Sequence, residues 1–203
     1  MKQLILASQN AHKAQELARM LNPHGIQVTL MSDLGFDEDI EETGETFIDN
    51  ARLKAEALHR AFPEAYVLAD DSGLCCEPIA GRPGVYSKRY GEGLSAKETF
   101  EKLWAELREA CPDESQWRAR FVCALCLIDS KGAIRMFEDH FDGRIIPEIR
   151  GEGGFGYDPI FFQDDVKQTA AELSDEEKDR RSHRGKALRG LLCYLAGCAK
   201  LEG

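Results

Sequence analysis

No stretch of this chain is apolar for long. The longest wholly apolar run, Phe121 to Ile128, falls far short of the roughly 20 residues that a bilayer-crossing helix needs. Met1 to Ser8 has no long apolar segment of the signal-peptide kind. The expectation is therefore a cytoplasmic protein without a membrane partner. Internal repeats, low-complexity blocks and Pro/Gly/Ser-rich linkers are also missing, which predicts one continuous domain over residues 1–203 with two lobes. No G-x-x-x-x-G-K-[ST] motif occurs, so a P-loop NTPase is excluded. Positive charge is scarce: 26 Lys and Arg face 36 Asp and Glu, a formal net charge of −10. A surface of that sign repels phosphate backbones and speaks against a nucleic-acid binder. A small phosphorylated ligand would need a local cluster of Lys, Arg or His, with or without a divalent metal.

What is present suits a globular fold. The 203 residues are 43% hydrophobic and 31% charged, and a chain of this size buries about 70% of the surface its unfolded state exposes. The cysteines number seven, an odd count that argues against a disulfide scaffold. Cys123 and Cys126 have C-x-x-C spacing, but within an apolar run and with no second pair to complete a zinc site. In a strand they would point to opposite faces. They read as buried reduced thiols.

Residue periodicity predicts a strand at 3–8, a helix at 11–21 and a weak strand at about 26–30. A helix follows at 45–62, where Phe47, Ala51, Ala55, Leu58 and Phe62 form a stripe, and then a short strand at Tyr66–Ala69. Another helix is expected at 95–110. Strands at 117–128 and 133–141 turn at Asp129-Ser130-Lys131-Gly132. Gly143 to Pro159 reads as loop, Ile160–Phe162 as a short strand, and about 182–199 as the last helix. Strands alternating with helices, followed by hairpin strands, give an α/β sheet with an antiparallel extension.

Five segments carry candidate chemistry. Ser8-Gln9-Asn10-Ala11-His12-Lys13 joins a strand to a helix. Its free N–H groups and Lys13 suit an anion; equally, Asn10 is a plain N-cap and Lys13 a solvated lysine. Asp70-Asp71-Ser72-Gly73-Leu74 follows a strand, where paired carboxylates suit Mg²⁺ or a base, or simply a turn. Glu41-Glu42-Thr43-Gly44 offers a further carboxylate or favours the dipole of the next helix. On that helix Lys54 falls about 20° from Phe47 and about 40° from Leu58 at ~100° per residue. A lysine inside the apolar stripe must snorkel or meet an anion. Gly151 to Pro159 contains a literal G-x-G-x-x-G, but Pro159 and β-prone residues follow instead of a helix, so a dinucleotide fingerprint is rejected. Its Phe155, Tyr157 and Asp158 suit a flat ring. Ser182-His183-Arg184-Gly185-Lys186 opens the last helix, with Arg184 one turn before Leu188 and facing inward. A lone inward arginine usually pairs with a carboxylate. With Lys178 and His183 it also forms the basic cluster that a phosphate or a purine carbonyl requires.

In this order and spacing the segments resemble the inosine triphosphate pyrophosphatase family, also described as XTP/dITP diphosphatases. The matching stretches are Asp70–Leu74, Gly81-x-Pro83-Gly84-Val85-Tyr86-Ser87, Gly153–Pro159 and Ser182–Arg184, and the likeness runs from Leu4 to Leu195. The resemblance implies an elongated mixed α/β sheet with two lobes around a central nucleotide-binding cleft, flanked by helices, and a homodimer. It implies Mg²⁺-dependent hydrolysis of ITP, dITP and XTP to a monophosphate and pyrophosphate, which cleans the nucleotide pool. Carried over by position, Ser8, Gln9, Asn10, Ala11, His12 and Lys13 would bind the triphosphate. Lys54 would contact phosphate. Glu41 and Asp71 would hold the metal, with Asp71 also the proton acceptor; the adjacent Glu42 competes for the place of Glu41. Ser72, Phe155, Gly156, Tyr157, Asp158, Lys178, His183 and Arg184 would bind the nucleotide, mostly at its base. Gln9 departs from the glycine common there in the family, which restricts the backbone. Two other readings stay open: a catalytically silent nucleotide-binding module, and a pyrophosphatase of different base preference, as in Maf-like proteins.

Overall fold

The structure, a computed structural model, describes residues 3–38 and 40–197. Its elements are β1 (Gln3–Ala7), α1 (Ala11–Leu21), β2 (Gln27–Leu30), α2 (Phe47–Ala61), β3 (Val67–Cys76), α3 (Ala96–Ala110), β4 (Arg118–Ile128), β5 (Ile134–Ile145), β6 (Phe161–Gln163), β7 (Gln168–Thr169), α4 (Asp175–Arg181) and α5 (His183–Leu195). The strands form one sheet in the order β2-β1-β3-β4-β5-β6-β7. β1 lies parallel to both β2 and β3, whereas β6 runs antiparallel to β5 and β7. The sheet is therefore mixed, and the α/β expectation holds.

The helices start where their capping residues dictate. Asn10, Thr46, Ser95 and Ser174 each sit in extended backbone, and each side chain accepts a hydrogen bond from the first turn that follows. Ser95 and Glu98 complete a capping box. The β4–β5 turn closes through Gly132 N–H on the Asp129 carbonyl, with Gly132 at φ +79°. Only glycine takes that conformation without strain.

The chain divides into two compact units. The first comprises residues 1–71, 123–139 and 183–203; the second comprises residues 72–122 and 140–182. The boundary falls within β3, β4 and β5. Each unit has its own core. In the first, Leu4 and Leu6 of β1, Leu68 of β3 and Cys123, Leu125 and Leu127 of β4 pack against Ala14, Leu17 and Leu21 of α1 and Ala187, Leu188 and Leu191 of α5. In the second, Leu74, Phe100, Leu103, Leu107, Trp117, Phe121, Phe141, Tyr157 and Phe161 form the core. Among the described residues no helix is long and apolar enough to cross a membrane.

Three expectations change. The strand read at Tyr66–Ala69 begins at Val67 and continues to Cys76, so Asp70 and Asp71 lie inside it rather than beyond it. Buried partners for both carboxylates make that possible. Gly143 belongs to β5, not to a loop. The last helix, read from about 182, is α5 and stops at Leu195; a separate short helix, α4, precedes it unforeseen, and the extended backbone of Ser182 (ψ 157°) divides the two. The remainder of the stretch read as helix reaches residues 198 and 199, outside the described residues.

Candidate active site

In a strand, neighbouring side chains point to opposite faces. Asp70 shares the face of Leu68 and meets α1 and α5; Asp71 points the other way and meets α2. The two adjacent carboxylates therefore have separate sets of partners.

Asp70 is fully buried. Its Oδ1 accepts from Lys13 Nζ at 2.5 Å, and its Oδ2 from Arg184 Nε at 2.8 Å and Cys123 Sγ at 3.2 Å. Arg184 also donates through Nη1 to Glu16 Oε2 at 2.5 Å. Burial alone would raise the Asp70 pKa. Arg184 and then Lys13 outweigh it and hold the carboxyl well below the usual range. The same neighbourhood reverses the effect on Cys123: burial, and then the Asp70 charge, push its thiol up, so it stays protonated.

Asp71 is 5% exposed. Its Oδ1 accepts from Lys54 Nζ at 2.9 Å. Lys54 also donates to Glu42 Oε1 at 2.7 Å and to the Asp70 carbonyl at 2.9 Å. The lysine inside the apolar stripe of α2 thus meets anions. Burial raises the Asp71 pKa, and the Glu42 charge adds to the rise, while Lys54 and Lys13 oppose it. For Lys54, burial disfavours the charge, but Asp71 and Glu42 outweigh that and keep it protonated. Asp71 Oδ2 is buried and accepts no hydrogen bond among the described residues.

The first-motif residues take capping roles. Asn10 Oδ1 accepts from the backbone N–H of His12 (3.0 Å) and Lys13 (3.2 Å), and Ser8 Oγ accepts from Asn10 N–H at 3.1 Å. Gln9, Ala11 and His12 are exposed. Of the two candidate glutamates, Glu42 is brought to Lys54 and Asp71; Glu41 is exposed.

The glycine loop and Lys178 form a second cluster, inside the second unit. Asp158 Oδ2 accepts from Lys178 Nζ at 2.7 Å and from Phe155 N–H at 2.8 Å. Lys178 Nζ stands 5.0 Å from the Phe155 ring centroid. Gly154 has φ +69°, and a Cβ there would lie 2.1 Å from Asp158 Oδ2. Glycine is required by both conformation and space. Gly156 is exposed at φ +62°. Tyr157 is turned inward: it is buried, packs against Phe100, and donates from its hydroxyl to the Ser87 carbonyl at 3.0 Å. Ser72 is half-buried on β3. His183 is buried at the start of α5, in the first unit. Sequence reading missed Glu16; it read Cys123 as a buried reduced thiol, as found, and quoted Ser87 in a matching stretch, but gave neither a partner in the site. Glu16 falls about 100° from Leu17 and about 160° from Ala14 around α1, off the apolar stripe, so the local pattern held no sign of it.

The first cluster fits a hard divalent cation. Asp71 Oδ2 is an orphaned, buried carboxylate oxygen, and Glu42 supplies a second carboxylate next to the same lysine. Among the described residues no group of three potential ligands is assembled. Mg²⁺ suits such a site, because it is commonly held by one or two carboxylates with water and substrate phosphates completing its shell.

Known proteins place the chain. The family model of the Ham1 family matches residues 4–194. A Bacillus subtilis (strain 168) protein named dITP/XTP pyrophosphatase is 45% identical over 192 residues, which is 94% of this chain and 96% of that one. The structure of a HAM1 protein from Coxiella burnetii has a TM-score of 0.86 at 37% identity, covering 97% of this chain and 100% of the other. For the Staphylococcus aureus Ham1 protein the TM-score is 0.83, also at 37% identity, with 97% and 99% covered. The chain belongs to the Ham1 family.

Proposed function

We propose that this protein hydrolyses the non-standard purine nucleoside triphosphates ITP, dITP and XTP between the α and β phosphates. The products are a nucleoside monophosphate and pyrophosphate, and the role is to clean the nucleotide pool. The observation that carries this reading is Asp71: a buried carboxylate with one oxygen unpartnered, held beside Lys54 and Glu42. The relative from Bacillus subtilis, named for dITP and XTP, supports the substrate class.

Asp71 and Glu42 are the residues proposed to hold Mg²⁺; the contact of Glu42 with Lys54, which also meets Asp71, supports Glu42 over the Glu41 that the resemblance implies. When bound, the metal would neutralise phosphate charge and favour departure of pyrophosphate. Asp71 accepts the proton of the attacking water at its carboxylate. Lys54 fixes Asp71 and faces phosphate. Ser8 to Lys13 receive the triphosphate at the start of α1, where backbone N–H groups favour anions. Lys13 is steered there by Asp70.

Ser72, Phe155, Gly156, Tyr157, Asp158, Lys178, His183 and Arg184 are proposed to bind the nucleotide. Phe155 offers a ring face, with Lys178 and Asp158 locked in place behind it. Tyr157 acts by holding the loop through Ser87. His183 and Arg184, the latter fixed by Asp70 and Glu16, are the donors for a 6-carbonyl. A site built to pair with that carbonyl rejects the 6-amine of ATP by on the order of 10⁴-fold. Cytoplasmic action and a homodimer belong to the same proposal.

Purified protein with Mg²⁺ and, separately, ITP, XTP, dITP, ATP and GTP tests this. Pyrophosphate from the first three and little from ATP and GTP is expected. Orthophosphate would contradict the cleavage site, and turnover of ATP or of pyrimidine nucleotides would contradict the assignment of donors to a 6-carbonyl.

A further inference from the structure

The stripe of α2 contains a second polar residue, Asn50, that no step above uses. It is fully buried. Its Oδ1 accepts from the Gly44 backbone N–H at 2.7 Å, which fixes the amide orientation, because only the oxygen can face a donor. Its Nδ2 is buried without a hydrogen-bond partner among the described residues. A half-satisfied buried amide is costly, and an alanine like its neighbours Ala51 and Ala55 would avoid that cost.

Gly44 shows what the contact achieves. A Cβ there would lie 2.6 Å from Asp49 Cβ, 2.7 Å from Asn50 Oδ1 and 2.9 Å from Asn50 N. The loop backbone thus lies directly on the first turns of α2, and no larger residue fits. Glu42 is two residues before Gly44. Lys54 is one turn after Asn50, about 40° around the helix. One rigid helix therefore holds both the loop that carries Glu42 and the cation that Glu42 meets. We propose that Asn50 is a positioning residue: through Gly44 it sets the Glu42 carboxylate beside Asp71 for divalent-cation binding. This rests on the assignment of Glu42 and Asp71 to the metal made above. Asn50 itself touches neither substrate nor metal.

The test uses Mn²⁺ as a probe, bound to the nucleotide-free protein and followed by the electron paramagnetic resonance of the unbound ion. Wild type is compared with Asn50→Ala, Gly44→Ala, the double variant and Glu42→Ala, and circular dichroism confirms the folded fraction. Removing a residue that orients a ligand weakens metal binding by about 10–100-fold. Asn50→Ala and Gly44→Ala should each show that loss, and the double variant should be no worse than the weaker single one, because both break one contact. The metal concentration for half-maximal turnover should rise while KM for nucleotide at saturating metal stays put. A merely structural residue would lower the folded fraction without changing the affinity of what remains folded. Wild-type Mn²⁺ affinity in Asn50→Ala, with Glu42→Ala impaired, overturns the role of Asn50 alone. If Asn50→Ala does not fold, the same result in Gly44→Ala overturns it. Wild-type affinity in Glu42→Ala overturns the metal assignment, and this inference with it.

Discussion

Replacing Asp70 by asparagine preserves its shape and removes one negative charge from a point where buried Arg184 and half-buried Lys13 meet it. Arg184 Nε is 2.8 Å away and Lys13 Nζ 2.5 Å. The amide must also turn its NH₂ toward one of them, setting donor against donor. Breaking a buried pair by removing one partner costs about 3–5 kcal/mol. Arg184 keeps Glu16 at 2.5 Å, which places the expected loss at the lower end. With about 2–4 °C per kcal/mol for a chain of this size, Tm should fall by about 6–12 °C. The probe matters. The two tryptophans, Trp104 and Trp117, both lie in the second unit, so their fluorescence is the wrong reporter. Amide hydrogen exchange resolves the units. β1, α1 and α5 should exchange faster in Asp70→Asn, with α3 unchanged. A loss under about 1 kcal/mol, the size of an exposed ion pair, would refute the reasoning.

Further changes test the chemistry. Asp71→Asn should lower kcat by about 10²–10⁴-fold, the usual scale of general base catalysis, with nucleotide binding largely kept; near-normal turnover would remove Asp71 as the base. Lys13→Ala should lower kcat/KM by about 10–100-fold, since a hydrogen bond to a charged group is worth about 1.5–3 kcal/mol. An equal loss of monophosphate affinity would mean that Lys13 does not read the outer phosphates. In the second unit, Gly154→Ala should destabilise by at least about 1–3 kcal/mol, the cost of left-handed backbone in a residue with a Cβ. That Cβ would also press on Asp158 Oδ2. Urea unfolding followed by tryptophan fluorescence reads it, and an unchanged midpoint would show that the loop gives way.

Local signals in the sequence carried far. The apolar spacing of Ala14, Leu17 and Leu21 behind Asn10 marked α1 at its observed bounds. Lys54 was visible as a cation inside an apolar stripe, and Arg184 as an inward arginine in need of a carboxylate. Their actual partners were not visible. Asp70 lies 114 residues from Arg184 and 53 from Cys123, and no local period encodes such pairs. The same blindness shortened β3: Asp70-Asp71-Ser72-Gly73 has turn chemistry, and only distant cations make those carboxylates compatible with a buried strand. α4 escaped because Asp175 to Arg181 has no apolar face, although Ser174 before an acidic first turn was a start signal. The contact that brings Glu42 rather than Glu41 to Lys54 leaves no pattern in the sequence. Nothing in the sequence singled out Asn50, whose contact with the Gly44 backbone only the fold reveals.

The most direct test of the central claim is hydrolysis of ITP with Mg²⁺ in ¹⁸O-enriched water, followed by mass spectrometry of both products. Water activated at Asp71 and directed at the α phosphorus leaves the heavy oxygen in inosine monophosphate and none in pyrophosphate. Label in pyrophosphate would mean attack at the β phosphorus and would contradict the account.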